Sequence, residues 1–401
     1  MSISYRMIVA VCLAGTALTL PAFAEDIPPA AKVILDNIER QANVKPTYDS
    51  IETDGSGTVT ISNLKLSKAG VDGAPGVTTS IEEISLGEIS DEGDGLYEIG
   101  SASFSGVKGD VSSPGFALSF DVPEIEAEDL YVKALGADAT PEELFRASMN
   151  VAHKVSAGKM SITTVGQTFT VDGYETTWDG DPQSGSGKFT MKISNIAVPE
   201  SAIAMADQMG MLKQLGYAGL NFDLTSAGQM DVKDGNLGMD MNFSISGKDI
   251  GTINIAGAAS DVPVAVYAVL QNARKSGKEP DFTAMLPQLQ AVTFKSAALR
   301  FEDSSLTKRL LPMLAKMQGM DEATLIASAG AMMQMGLMQL QNQAFSEQAT
   351  AAVNGFLKDP KSITISVKPA SPIKVQELMT LSPAAPGEAI TKLGVSVSAN
   401  D

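Results

Sequence analysis

One cluster of side chains in this sequence could do chemistry through thioether sulfur. Seven methionines fall within residues 313–338: Met313, Met317, Met320, Met332, Met333, Met335 and Met338. Thioether sulfur can hold copper(I), and the same flexible side chain fills irregular apolar surfaces. Leucine and alanine alternate with these methionines and no histidine lies among them. The pattern favours an apolar core, or the apolar wall of a ligand site formed by Met313, Met317, Met332, Met335 and Met338, over copper binding.

Histidine chemistry has one candidate, because His153 is the single histidine. Residues 140–154 have the spacing of an amphipathic helix with Thr140 as N-cap and Pro141 in the first turn. A histidine in the last turn suits the helix dipole, which favours a structural role. None of three serines considered as nucleophiles stands in a Gly-x-Ser-x-Gly motif: Ser201, Ser276 and Ser328. We therefore predict a non-enzymatic protein with no catalytic residue, metal or cofactor, and keep an unrecognised hydrolase as a remote alternative.

An acidic glycine turn, Glu52–Thr60, is similar to a calcium-binding EF-hand loop. Asp54 and Ser56 stand at the third and fifth loop positions, but Asn63 stands where the bidentate glutamate belongs. The residues that follow alternate as a strand, whereas the motif requires a helix. We interpret this segment as an ordinary glycine turn before a strand.

The first 24 residues have the pattern of a cleavable signal peptide. One arginine precedes an apolar run over 7–20, and Ala22-Phe23-Ala24 gives the small-x-small pattern before Glu25. We predict cleavage after Ala24 and a periplasmic location, with no integral membrane segment in the mature chain. Cys12, the single cysteine, would be lost with the leader. The formal net charge of −18 disfavours a nucleic-acid partner.

Periodicity predicts how the mature chain is organised. A helix over 28–44 precedes alternating apolar and polar runs that indicate antiparallel strands. Residues 199–215 and, further on, residues 304–357 favour helices, with two last strands after them. Gly55–Leu64 resembles Gly185–Ile196, which suggests a duplicated unit. The predicted segments are a first strand-rich half over 25–155, a second over 156–290, and Met-rich helices with closing strands over 291–401. We predict an α+β fold of extended, curved antiparallel sheets in two similar halves, with amphipathic helices packed on one side.

The C-terminal third carries a family resemblance. Leu299–Leu311, Phe356–Ser362 and Leu393–Asn400 together resemble uncharacterised periplasmic proteins of Gram-negative bacteria. The alternation of strands and helices more faintly resembles envelope proteins of the AsmA-like lipid-transport type. These resemblances imply an envelope location and assign no site residue.

The predicted function rests on the lack of recognisable catalytic or metal-binding residues and on the apolar helices. Methionine-rich helices on a curved sheet could line a groove for acyl chains. We therefore predict binding or shielding of an apolar ligand such as an acyl lipid, or of an envelope component such as another envelope protein. The alternative is a structural envelope protein with no ligand.

Overall fold

The computed structural model describes residues 27–42, 44–70, 76–113, 115–136, 139–148, 151–207, 210–217, 219–266, 269, 282–380 and 385–401. The predicted signal peptide and Cys12 lie outside these residues. The chain divides into two compact units, and each is described by itself. Unit 1 contains Met1–Pro199 and Tyr267–Pro280, and unit 2 contains Glu200–Val266 and Asp281–Asp401.

Unit 1 is built on antiparallel strands that follow the N-terminal helix α1, Pro29–Ala42. Its strands are β1 Ser50–Thr53, β2 Val59–Lys68, β3 Gly76–Gly93, β4 Leu96–Ser113, β5 Phe116–Lys133, β6 Ala152–Ala157, β7 Met160–Thr164, β8 Gln167–Val171, β9 Gly173–Asp181 and β10 Ser186–Val198. Strands β1 to β5 pair in chain order. β5 then pairs with both β6 and β7. β6 pairs with β9, and β7 pairs with β8. β8 and β9 both pair with β10.

The core of unit 1 lies between α1 and the inner face of β2 to β5. Ile61 pairs with Ile84 and Val59 with Leu86, and all four side chains are buried. Helix α1 contributes its apolar stripe to the same cluster, including Ile34. The period-two pattern of the strands and the helical spacing of α1 therefore bury one continuous apolar layer.

The long strands of unit 1 are interrupted without a change of register. Asn63, Glu88, Gly106 and Asp129 have positive φ angles of 52°, 57°, 61° and 47° inside otherwise extended strands. Gly106 lacks the Cβ that would meet the Glu82 side chain at 2.3 Å, so this position requires glycine. Regular pairing is skipped at these residues and resumes beyond them.

The sequence echo in unit 1 has a structural counterpart. Asn63 on β2 and Asn195 on β10 both adopt a left-handed conformation. Asn63 donates its Nδ2 to Asp49 Oδ2 at 2.8 Å, and Asn195 donates Nδ2 to Asp172 Oδ2 at 2.5 Å. In each case the aspartate precedes the antiparallel partner strand, and its amide donates to the serine carbonyl before the asparagine. The two matching segments therefore form the same local motif, and both lie in unit 1.

Unit 2 combines a second antiparallel sheet with the C-terminal helices. Its strands are β11 Leu220–Lys233, β12 Asn236–Gly247, β13 Gly251–Pro263, β14 Thr293–Asp303, β15 Ser362–Val367, β16 Ile373–Lys374 and β17 Val395–Ala399. Its helices include α3 Glu200–Ala206, α4 Met211–Gln214, α5 Phe282–Leu289, α6 Leu306–Met317, α7 Glu322–Met338, α8 Gln343–Lys358, α9 Val375–Met379 and α10 Pro386–Leu393. Helix α2, Pro141–Ser148, belongs to unit 1. Strands β11 to β15 pair in chain order, β17 joins β15, and β16 joins β14.

Two predicted helices differ from the structure. The helix expected over 140–154 is α2, which begins as predicted with Thr140 and Glu143 in a reciprocal capping box. It ends at Ser148, and His153 lies exposed on strand β6, so its placement in a last helical turn is wrong. β6 pairs with β5 and β9, and this pairing overrides the helical spacing of the sequence. The helix expected over 199–215 is interrupted where Gly210 has a φ of 66°.

The fold class is confirmed as α+β, rich in antiparallel strands, with several helices. The helices of unit 2 differ in what they cover. α8 and α10 contact β17, and α5 contacts β13, whereas α7 packs mainly on α8 and α6. The most methionine-rich helix therefore lies on other helices.

Candidate functional site

The sheet of unit 2 separates apolar from polar residues between its two faces. One row of directly opposed residues crosses five strands: Phe243, Ile255, Leu299, Ile365 and Val397. The neighbouring row on the same face is Ile245, Ile253, Phe301, Ile363 and Ala399. Residues between these positions point to the other face, because side chains alternate along a strand. One face of this sheet is therefore apolar in these two rows, across β12, β13, β14, β15 and β17.

Part of this apolar face is uncovered. Ile253, Ile255, Leu299 and Ile365 are 40%, 48%, 47% and 46% exposed, and we call these four residues the apolar stripe. Three of them are directly opposed on β13, β14 and β15, where Cβ atoms lie about 5 Å apart. Their surfaces are therefore contiguous, in contrast to the singly scattered apolar residues that most protein surfaces carry.

The stripe ends where helix α8 begins to cover the sheet. Phe356 of α8 packs edge-on against Phe301, with ring centroids 6.2 Å apart and an angle of 73° between the rings. Val397, which continues the row beyond Ile365, is buried. The helix thus buries one side of the apolar face and leaves β13 and the middle of β14 and β15 accessible.

The opposite face of the sheet carries a hydrogen-bonded polar network. Arg300 donates from Nε to Glu302 at 2.8 Å and from Nη1 to Thr364 at 3.0 Å and Asp401 at 2.9 Å. A hydrogen bond from Ser398, followed by the Arg300 guanidinium, lowers the pKa of Asp401. The polar side chains of this network therefore hydrogen-bond to one another. The face that carries the apolar stripe, in contrast, leaves aliphatic side chains exposed to solvent.

The methionines predicted as a ligand wall lie on α6 and α7. Met317, Met332, Met335 and Met338 are 66–71% exposed. Met313 is partly buried. Gly330 is the buried residue of α7, and a Cβ there would approach Asn354 of α8 to 2.7 Å. Met317 is therefore a surface residue at the end of α6, and Met332, Met335 and Met338 are surface residues of α7. The hypothesis that these four methionines form a core is wrong for them.

Replacing Met332, Met335 and Met338 together by glutamine is expected to change the free energy of unfolding by less than about 1.5 kcal/mol. Each site is exposed, and surface substitutions usually cost no more than about 0.5 kcal/mol each. Glutamine also matches methionine in helix propensity. Urea denaturation followed by circular dichroism measures the change. A loss of several kcal/mol would show that these side chains are buried.

Two surface clefts are lined by polar residues. The cleft in unit 1 has a volume of about 520 Å³ and is acidic, since its lining includes Glu124, Glu126 and Glu175 with one lysine, Lys192. Burial raises the pKa of Tyr174, which also lines it. The cleft in unit 2, about 300 Å³, is called the cationic cleft and is lined by Gly216, Tyr217, Gly219, Asn221, Lys248, Asp249 and Arg309. Neither lining includes a predicted wall methionine.

The segment compared with an EF-hand is a turn between β1 and β2. Asp54 Oδ1 accepts hydrogen bonds from the amides of Ser56 at 2.9 Å and Thr58 at 3.0 Å, and from the Ser56 hydroxyl at 2.6 Å. The hydroxyl bond is the main cause of the lowered pKa of Asp54. The glycine-turn interpretation is confirmed. Among the residues that the structure describes, no three histidine, cysteine or acidic side chains are grouped to hold a metal ion.

Comparison with known proteins finds a similarity in the C-terminal part of the chain. A family model described as an uncharacterized protein matches residues 244–400, in agreement with the resemblance of the C-terminal third to uncharacterised proteins. No curated protein matches the chain. The matched segment contains the whole apolar stripe together with Lys248, Asp249 and Arg309 of the cationic cleft. In the described part of the chain, none of the helices has the length and apolar character needed to cross a bilayer.

Proposed function

We propose that this chain is an exported, non-enzymatic protein that binds the acyl chain of a lipid on the sheet of unit 2. The observation that carries the proposal is the apolar stripe, four aliphatic side chains exposed side by side on one sheet face. Export rests on the signal-peptide pattern of residues 1–24. The proposed location is the periplasm, a compartment bounded by two membranes.

The shape of the stripe favours a narrow ligand. Ile255, Leu299 and Ile365 stand on consecutive strands, and strands are spaced about 4.8 Å apart, so the row is about 10 Å long. A stable protein interface involves about 20–30 residues on each side, far more than the stripe offers. An acyl chain matches a row of aliphatic side chains in both width and chemistry.

The free energy available from the stripe is large enough to matter. Full burial of an isoleucine or leucine side chain contributes about 1.5–3 kcal/mol, and the stripe residues are already about half buried. Covering all four would therefore contribute roughly 3–6 kcal/mol before the cost of association. Even before that cost is subtracted, 3–6 kcal/mol corresponds to a dissociation constant of roughly 6 mM to 40 μM, so the stripe supports weak binding, as expected for a carrier that must also release its ligand.

The proposal is tested by replacing Ile255, Leu299 and Ile365 with threonine, a residue that suits strands but carries a polar hydroxyl. We expect the triple variant to bind a fluorescent fatty acid at least tenfold more weakly than the wild type, measured by titration. The matched control is Phe116→Ser in unit 1, since Phe116 is 42% exposed and outside the stripe. The control should bind as the wild type does.

Native mass spectrometry of protein purified from the periplasm gives an independent answer. A stoichiometric acyl lipid that co-purifies with the wild type, and is lost from the triple variant, supports the proposal. Equal binding by wild type and triple variant contradicts it. Absence of any bound lipid and of fatty-acid binding would instead favour a structural envelope protein with no ligand.

A further inference from the structure

The cationic cleft is assembled by three segments of unit 2 that are tied together. The backbone amide of Lys248 donates to the Asn221 carbonyl at 3.1 Å, and the amides of residues 304–306 all converge on the Ile250 carbonyl. The buried Tyr217 donates its hydroxyl to the Asp249 carbonyl at 3.3 Å. Ser305 donates to the same carbonyl. The β12–β13 turn, the start of α6 and residues 215–221 therefore form one fixed scaffold.

Arg309 is held in this scaffold with hydrogen-bond donors to spare. Its Nη1 donates to the Leu215 carbonyl at 3.0 Å, and its guanidinium carbon lies 4.6 Å from the centroid of the Tyr217 ring. A Cβ on Gly216, where φ is 82°, would come within 3.3 Å of Nη1, so glycine leaves room for the guanidinium. Because arginine has five N–H donors, several remain for a ligand.

The charge of the cleft differs from that of the chain. Arg309 and Lys248 both line it, and within the described residues neither forms an ion pair with a carboxylate. Asp249 is the one acidic residue of the lining, which leaves a net charge of +1 in a chain of −18. A planar guanidinium with a second cation and the Asn221 amide is the donor set that recognises phosphate oxygens.

The cationic cleft lies at the end of the sheet where β13 begins, and the apolar stripe begins on the same strand. Lys248 and Asp249 form the turn into β13, and Ile253, the first stripe residue, follows four residues after Asp249. At about 3.3 Å per residue, the backbone of Ile253 is within about 13 Å of that turn. A single amphiphile could therefore reach both features.

We infer that the cationic cleft binds a phosphate group, and that the lipid on the apolar stripe is an anionic amphiphile with this phosphate as its head. The second part rests on the proposed function. The cleft also fits a free phosphate, since the chemistry of recognition is the same. The experiment must therefore compare a lipid phosphate with inorganic phosphate.

The test measures three probes by isothermal titration calorimetry: lysophosphatidic acid, the monoacylglycerol with the same acyl chain, and inorganic phosphate. The wild type is expected to bind lysophosphatidic acid at least tenfold more tightly than monoacylglycerol, and this advantage should shrink as salt is raised. Lys248→Gln should remove most of the advantage and leave monoacylglycerol binding unchanged. Arg309→Lys, which keeps the charge but loses the planar fork, should reduce it as well.

The controls separate the two proposals. Lys316→Gln removes an exposed charge of α6 outside the cleft lining, so it should leave the advantage intact. Lys248 is exposed and outside the core, so its variant remains informative if Arg309→Lys is poorly folded.

Each result has a defined meaning. Equal binding of lysophosphatidic acid and monoacylglycerol would overturn the phosphate cleft and leave the proposed function standing. Inorganic phosphate bound as tightly as the lipid, with loss in Lys248→Gln, would support the phosphate cleft and overturn the lipid as its source. Binding of none of the three probes would overturn both proposals.

Discussion

Replacing Ile84 by alanine is expected to lower the free energy of unfolding of unit 1 by about 2–5 kcal/mol. Ile84 is fully buried at the centre of β3, between Ile61 on β2 and Phe104 on β4. Helix α1 closes the cluster from above through residues such as Ile34. Neighbours held in a sheet on two sides have little freedom to collapse into the cavity, so the cost should lie above the middle of this range.

The single tryptophan makes this measurement specific. Trp178 is the one tryptophan of the chain, and it lies buried on β9 of unit 1. Its fluorescence during urea denaturation therefore follows the unit that contains Ile84, even if the two units do not unfold together.

Ile255→Ala is the matched control, because it removes the same atoms from an isoleucine on another antiparallel strand that is 48% exposed. We expect a cost of no more than about 1 kcal/mol, followed by circular dichroism, since little burial is lost. Similar losses in the two variants would contradict both the assigned core and the exposure of the stripe. A small cost for Ile255→Ala also means that this residue is free to serve binding.

Most strands and the N-terminal helix could be predicted because their periodicity is local. The long strand β5 could not, since Pro123 suggests a break between residues 122 and 125. In the structure β5 runs from Phe116 to Lys133, because Pro123 lies opposite Gly106, where regular pairing is skipped and no ladder hydrogen bond from Pro123 is needed. A proline interrupts a strand only where the neighbouring strand needs a hydrogen bond from the N–H that proline lacks. Whether it does is a property of the pairing and not of the proline's own segment.

The candidate site could be predicted in character but not in position. Ile84 and Ile255 stand in strands with the same apolar periodicity, yet one is buried and the other half exposed. The difference is set by whether a helix covers the face, which is a tertiary property. The methionines attracted attention because of their number and spacing, whereas the stripe is carried by ordinary aliphatic residues. The sequence did contain a signal for the stripe. Its strands predict an apolar face that extends over more strands than the helices can cover.

Phe356→Ala is expected to lower the stability of unit 2 by about 3–5 kcal/mol. The Phe356 side chain is 7% exposed and packs edge-on against Phe301, an arrangement that contributes about 0.5–1.5 kcal/mol beyond area burial. Because α8 contacts β17 and β15 and also carries α7, loss of this anchor should loosen all three helices α6 to α8. Hydrogen exchange of the α8 amides should therefore accelerate more than that of β12.

A conservative variant shows which part of the effect comes from packing. Phe356→Leu keeps most of the apolar volume and loses the ring-edge contact, so its cost should be less than half that of Phe356→Ala. Unchanged α8 protection in Phe356→Ala would mean that this helix is held elsewhere. Because the stripe residues belong to β13, β14 and β15, fatty-acid binding should persist in Phe356→Ala at temperatures where the sheet remains folded. Under the proposed function, stability and ligand binding depend on different parts of the same apolar face, one covered by α8 and the other left open beside it.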